Sequence, residues 1–249
     1  MSDFKFPTEM VDLPSKGIVY SKENPLSSGK IEIKYMTARE EDILTNQNYI
    51  QKGIVLDKLL ESLIVSEVNY KDIIIGDKNA LLIASRVLGY GKDYSFKAQS
   101  AVTNKLEDFT VDLTTLKDKV LKKKDLKEVG VNEFEYTLPT TNKLITYRLL
   151  THGDEVAIAK EVQGQNKIRP GSSPEISTRL KYIITSIDGD TDKKTIREFV
   201  DGYLLAKDSR ALREEIKRIS PDVELKYHGE DGEEDINIPI SLNFFWPDA

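Results

Sequence analysis

The strongest constraint on this chain is an order of hydrophobic periods that occurs twice. From Lys30, apolar side chains alternate (Ile31, Ile33, Tyr35), which is the period of a strand with one buried face. Thr37-Ala38-Arg39-Glu40 follows with capping-box spacing: the threonine hydroxyl can accept from the first helical turn while the glutamate reaches back. A helix therefore starts near Ala38. Leu56, Leu59, Leu60, Leu63 and Ile64 make the apolar stripe of a helix over 55–67. Asp77 is expected to cap another, which carries Leu81, Leu82, Ile83, Val87 and Leu88 and stops at Gly89. A hairpin closes the unit, with Tyr94, Phe96 and Ala98 opposite Phe109, Val111 and Leu113.

The order then returns. Strands around Phe134 and Tyr136 and over 144–149 precede Thr151, which stands before Asp154 and Glu155 as a second helix cap. Residues 163–174 form a polar loop rich in Gly, Pro and Ser. Leu180, Ile183, Ile184 and Ile187 give a helical stripe. Helices over 193–206 and 209–219 follow, the latter capped by Asp208 and ended before Pro221. Val223, Leu225 and Tyr227 alternate, answered by Ile236, Ile238 and Ile240. The expected fold is α+β with two related halves. Each half has a strand or β-hairpin, a helical bundle segment and a closing zinc-ribbon-like hairpin without metal. Residues 1–29, punctuated by Pro7, Pro14, Gly17 and Pro25, read as an extended N-terminal arm that buries little. The first half spans 30–115, the second 131–249, and 116–130 is a Lys-rich connector read as a solvated helix.

Composition narrows the chemistry. The chain has no cysteine, which removes disulfides, thiolate catalysis and thiolate metal sites and favours an intracellular setting. A net charge of −6 argues against bulk nucleic-acid binding, although Lys122, Lys123 and Lys124 form a local basic run. The start lacks a signal peptide's basic and apolar runs, and no stretch has a membrane helix's length, so neither export nor a membrane is expected. His152 and His228 are the only histidines, and neither has a nucleophile motif or metal-ligand spacing. Asp188-Gly189-Asp190-Thr191-Asp192 opens like a calcium loop, but Lys193 and Phe199 stand where that loop requires Gly and Glu. The tips Ser100–Asn104 and His228–Gly232 have the placement of zinc knuckles with polar residues in place of thiolates. No catalytic residue, cofactor or metal is expected.

Leu13-Pro14-Ser15-Lys16-Gly17 with Tyr20, Ile31-Glu32-Ile33-Lys34-Tyr35-Met36-Thr37 and Glu40-Glu41-Asp42-Ile43-Leu44-Thr45 resemble the baseplate hub assembly proteins of contractile-tailed, T-even-type bacteriophages. The similarity extends through the apolar helix 56–64, Gly76-Asp77, and the terminal run from Pro239-Ile240 to Phe244-Phe245-Trp246-Pro247. Members of that family often carry cysteines in the closing hairpins, and this chain does not. The resemblance implies a non-enzymatic factor that builds the tail tip in the host cytoplasm, chaperoning hub or tape-measure protein. The alternative is a structural baseplate subunit retained in the virion. Leu13, Pro14 and Tyr20 of the arm and Phe244, Phe245 and Trp246 of the tail are the expected partner contacts, since buried aromatics dominate interfaces. Docking of the three tail aromatics into the chain's own core is the other reading.

Overall fold

The computed structural model describes residues 7–169, 171, 174–229 and 235–245. It is an α+β fold of helices and small antiparallel sheets. Strand β1 (Thr8–Asp12) pairs antiparallel with β2 (Lys30–Lys34), in register from Thr8↔Lys34 to Asp12↔Lys30. Helices α1 (Ala38–Leu44), α2 (Gln47–Gln51), α3 (Val55–Leu63) and α4 (Ile75–Tyr90) follow, then the hairpin β3 (Asp93–Gln99) and β4 (Leu106–Asp112). A two-residue strand, β5 (Asp118–Lys119), leads into the second half. There β6 (Phe134–Thr137) pairs with β7 (Leu144–Tyr147), followed by α5 (His152–Ile168), α6 (Glu175–Ile183) and β8 (Ile184–Ile187), which adds to β7. Helices α7 (Lys193–Gly202) and α8 (Ala206–Ile219) precede β9 (Asp222–Val223) and the hairpin β10 (Lys226–His228) and β11 (Asp235–Asn237).

The arm expectation is corrected. Leu13 and Leu26 are fully buried and Val19 and Tyr20 nearly so. Pro and Gly here tighten a loop rather than freeing it. The loop closes where Leu13 N–H donates to Gly29 O at 2.8 Å, and Gly17 turns at φ +73°, with backbone too close for a side chain. Residues 8–29 therefore belong to the first half. The connector is corrected too: 116–130 contains no α-helix but a short strand, a 3-10 turn at Lys123–Asp125, and two buried anchors, Leu121 and Leu126.

With β1 restored to the first half, the two halves match at their strand pairs, helix caps and latching helices. Pairing Asp12↔Lys30 before Leu13-Pro14-Ser15 matches Thr137↔Leu144 before Leu138-Pro139-Thr140. Thr37 and Thr151 both cap with capping boxes, closed by Glu40 and Asp154. Three residues before each cap stands a cation on that same carboxylate: Lys34 on Glu40 at 2.9 Å and Arg148 on Asp154 at 2.6 Å. Four before each cap, Ile33 bridges Ile64 and Tyr147 pairs with Ile184, and both partners are the C-cap of the following helix. The core runs through both halves, from Leu13, Ile31 and Leu59 to Phe134, Ile145 and Leu212.

Other expectations shift by a turn or less. Helix α4 begins at Ile75, so Asp77 is its third residue rather than its cap, and Asp208 holds the same place in α8. Ile184 and Ile187 lie on a strand, not a helix, and α5 extends into the expected loop at 163–168. Val223 leaves the terminal hairpin to pair through β9 with β5.

Candidate functional site

The buried polar groups form two matching latches. Asp77, fully buried, accepts from Ser15 N–H (2.9 Å), Ser15 Oγ (2.7 Å) and Tyr20 Oη (2.7 Å). Asp208, also buried, accepts from Thr140 N–H (2.8 Å), Thr141 N–H (3.1 Å) and Thr141 Oγ1 (2.8 Å). Each carboxylate sits in the first turn of a long helix, where the helix dipole favours it, and ties that helix to the turn after Leu-Pro. Burial pushes the Asp77 carboxyl above its ordinary range against the pull of Ser15 and Tyr20. At Asp208 desolvation is outweighed by the Thr140 and Thr141 donors, and the carboxyl lies below its ordinary range. Tyr20 continues its latch: its oxygen also accepts from Ile74 N–H at 3.1 Å, at the start of α4.

Of the expected partner contacts, Leu13 and Tyr20 are therefore inside the molecule, with Pro14 beside them accepting from Leu121 N–H (3.3 Å). Phe244 and Phe245 are fully buried, edge to face with each other at 5.4 Å, and Phe244 meets Tyr94 at 4.8 Å. Arg86, itself buried, donates to the carbonyl of Phe244 (2.8 Å) and to those of Gly91 and Asp93. Phe244 and Phe245 thus serve the core, held there by a buried guanidinium and an aromatic cluster. Trp246 lies outside the described residues, as does most of the tip His228–Gly232. At the other tip Ser100 Oγ accepts from Val102 and Thr103 N–H, a hydroxyl-closed turn. Among the described residues no group of three or more His, Asp or Glu could hold a metal, and no helix is long and apolar enough to cross a membrane.

The halves meet at a polar cluster. His152 N–H donates to Ile73 O (2.8 Å), and its ring lies 4.5 Å from that of Tyr70. Asp57 accepts from Tyr70 Oη (2.9 Å) and from the Lys78 ammonium. Burial lowers the His152 pKa against the pull of Asp57, and Nδ1, 3.7 Å from that carboxylate, has no hydrogen-bond partner. The imidazole packs between the halves against the Tyr70 ring. A cleft of about 840 Å³ runs along the same junction. Its guanidiniums are already matched: Arg148 to Asp154, and Arg179 forked onto Glu155 with two bonds of 2.6 Å. A second, more apolar groove of about 410 Å³ lies between β1 and α4, walled by Ala84, Val87 and Leu88 and by Met10, which is 52% exposed.

Neither the charged latches nor this groove was visible as a site in the sequence. The recurrence of Leu-Pro before a hydroxyl residue at Ser15 and Thr140 was the available signal. No protein-family model, curated protein or solved structure matches the chain.

Proposed function

We propose that this protein is a non-enzymatic assembly factor for a phage tail baseplate, working by holding a hub or tape-measure protein rather than by chemistry on a substrate. One observation carries the partner-binding reading. The most deeply buried carboxylates, Asp77, Asp208 and Glu40, are each saturated by donors from their own half, while the β1–α4 groove presents apolar surface beside a strand edge that no described residue pairs. Catalysis needs a polar group free to meet a reactant; association needs exposed apolar surface and backbone. The tail-assembly part of the reading rests on the residue resemblance from Leu13 to Thr45. Those residues form the loop after β1, β2 and α1, so the likeness covers Ser15 and Tyr20, the donors of the first latch.

Affinity capture of the tagged full chain from infected cells tests this, together with mass spectrometry of purified virions. Hub or tape-measure protein in the eluate, with the chain absent from finished particles, is the expected result. Fixed copies of the chain in every virion would make it a structural subunit. Capture of no tail protein would remove the assembly role.

A further inference from the structure

One break in the correspondence between the halves leaves a surface open. In the second half the chain meets the outer edge of β6 at its start: Lys127 N–H donates to Glu133 O at 3.2 Å, and the Lys127 ammonium bridges Glu133 (3.5 Å) and Glu135 (3.0 Å). Just before it, Leu126 is buried and Asp125 pairs with Arg218 of α8 at 3.2 Å. The connector thus touches the start of that edge through Lys127 and reaches α8 through Asp125. The register equates Glu133 and Glu135 with Thr8 and Met10, and Glu215 and Arg218 with Ala84 and Val87. In the first half Met10, Ala84 and Val87 of these positions line the 410 Å³ groove, and Thr8 stands just outside its lining.

The edge beside that groove is open. Tyr35 N–H to Pro7 O and Leu13 N–H to Gly29 O turn the odd residues of β1 toward β2. The N–H and C=O groups of Thr8, Met10 and Asp12 therefore point away from β2, and among the described residues no backbone group pairs with them. The groove is also acidic at its lip, where Glu9, Asp12 and Asp118 stand. Lys30 and Lys16 approach Asp12 and Asp118 only at 3.5 and 3.9 Å. Burial raises the Asp118 carboxyl, Lys16 draws it back and Asp12 adds repulsion, so a further cation there is favoured.

We propose that the free edge of β1 and the β1–α4 groove form a docking site for an extended, lysine-bearing segment of a partner protein, seated as the connector is seated on β6. The segment adds a strand of about five residues to β1. It places an apolar side chain against Ala84 and Val87 and its lysine between Asp12 and Asp118. Where the connector offers Asp125 to Arg218, the partner must offer an apolar group to Val87. This site rests on the reading of the protein as a partner-binding factor and names the chemistry of the partner.

The probe is a fluorescent peptide of residues 119–128 carrying Asp125→Leu, titrated by anisotropy into the full-length protein. Saturable binding is expected, weakened at least tenfold by Ala84→Arg, which fills the groove. Met10→Pro should weaken it similarly, because it removes an outward N–H without touching the β1–β2 ladder. Asp12→Asn should remove most of the salt dependence. Circular dichroism melts of each variant separate lost binding from lost fold. The proposal is overturned if the peptide fails to saturate, if a scrambled peptide binds equally, or if both groove variants that fold bind like the parent. Sedimentation showing a dimer that Ala84→Arg dissolves would assign the groove to a second copy instead. No phage protein enters this titration, so its failure is distinct from failure to capture tail proteins.

Discussion

At the residue scale, two carboxylates and a capping glutamate hold the frame. Removing Asp77 leaves Ser15 N–H, Ser15 Oγ and Tyr20 Oη without their acceptor in a dry interior. Asp77→Ala should therefore lower unfolding stability by about 3 kcal/mol, read by urea titration. At Glu40, desolvation opposes ionisation, but Lys34, Thr37 and Ser62 overcome it and bring the carboxyl down to about 2. A folded value below the unfolded one gives stability that is complete above the unfolded pKa and lost as the pH falls through the folded one. Acid unfolding should thus cost the parent on the order of 2 kcal/mol more than Glu40→Gln between about pH 5 and pH 2, measured as the difference in urea midpoints. The capping boxes were legible because their spacing is local: Thr37 with Glu40 and Thr151 with Asp154 can be read along the chain. Asp77 and Asp208 were legible only as helix starts. Their partners, Ser15 and Thr140, stand 62 and 68 residues away, and no spacing rule spans that distance.

At the element scale, chain punctuation and packing separate. Pro14, Gly17 and Pro25 suggested a free arm, yet the loop they shape buries Leu13, Ser15, Val19, Tyr20 and Leu26. The longer excursion between β1 and β2 hides its likeness to the tight turn between β6 and β7. Strand β8 was missed for another reason. Ile183, Ile184 and Ile187 form a short apolar run, and only pairing with β7 decides that the helix ends at Ile183. The closing hairpin β3–β4 was legible as two alternating runs, and in it Phe96 faces Phe109 and Tyr94 faces Val111, while Leu113 falls beyond the strand. The C-terminal aromatics finish that hairpin's core. Phe244→Ala should cost about 3–5 kcal/mol through the cavity left against Tyr94, and the same melts should show Arg86→Met loosening this end of the chain.

At the scale of the whole molecule, the halves are interlocked rather than strung together. Strand β5 pairs with β9, Ile74 bridges Thr151, and Asn79 Nδ2 donates to Asp222 Oδ1 at 2.9 Å. Gly76 marks the closest approach: a Cβ there would lie 1.8 Å from the carbonyl oxygen of Pro221. Gly76→Ala must push the two segments apart, and should destabilise the fold by about 1–3 kcal/mol or more, seen as a lower midpoint of thermal unfolding. One cooperative transition reported alike by near-ultraviolet circular dichroism of the buried tyrosines Tyr20, Tyr94 and Tyr147 and by far-ultraviolet circular dichroism is expected of a chain joined in this way. The twofold order that constrained the sequence thus becomes a physical repeat: a strand pair, a capped helix, a C-cap returned to the second strand, and a helix latched by its third-residue aspartate. An experimental structure of the full chain tests this most directly. Overlaying 8–17, 30–64 and 75–90 on 133–142, 144–184 and 206–219 should bring Asp77 onto Asp208, each accepting from the backbone N–H of Ser15 or Thr140. An overlay that matches the strand pairs but leaves either carboxylate turned to solvent would contradict it.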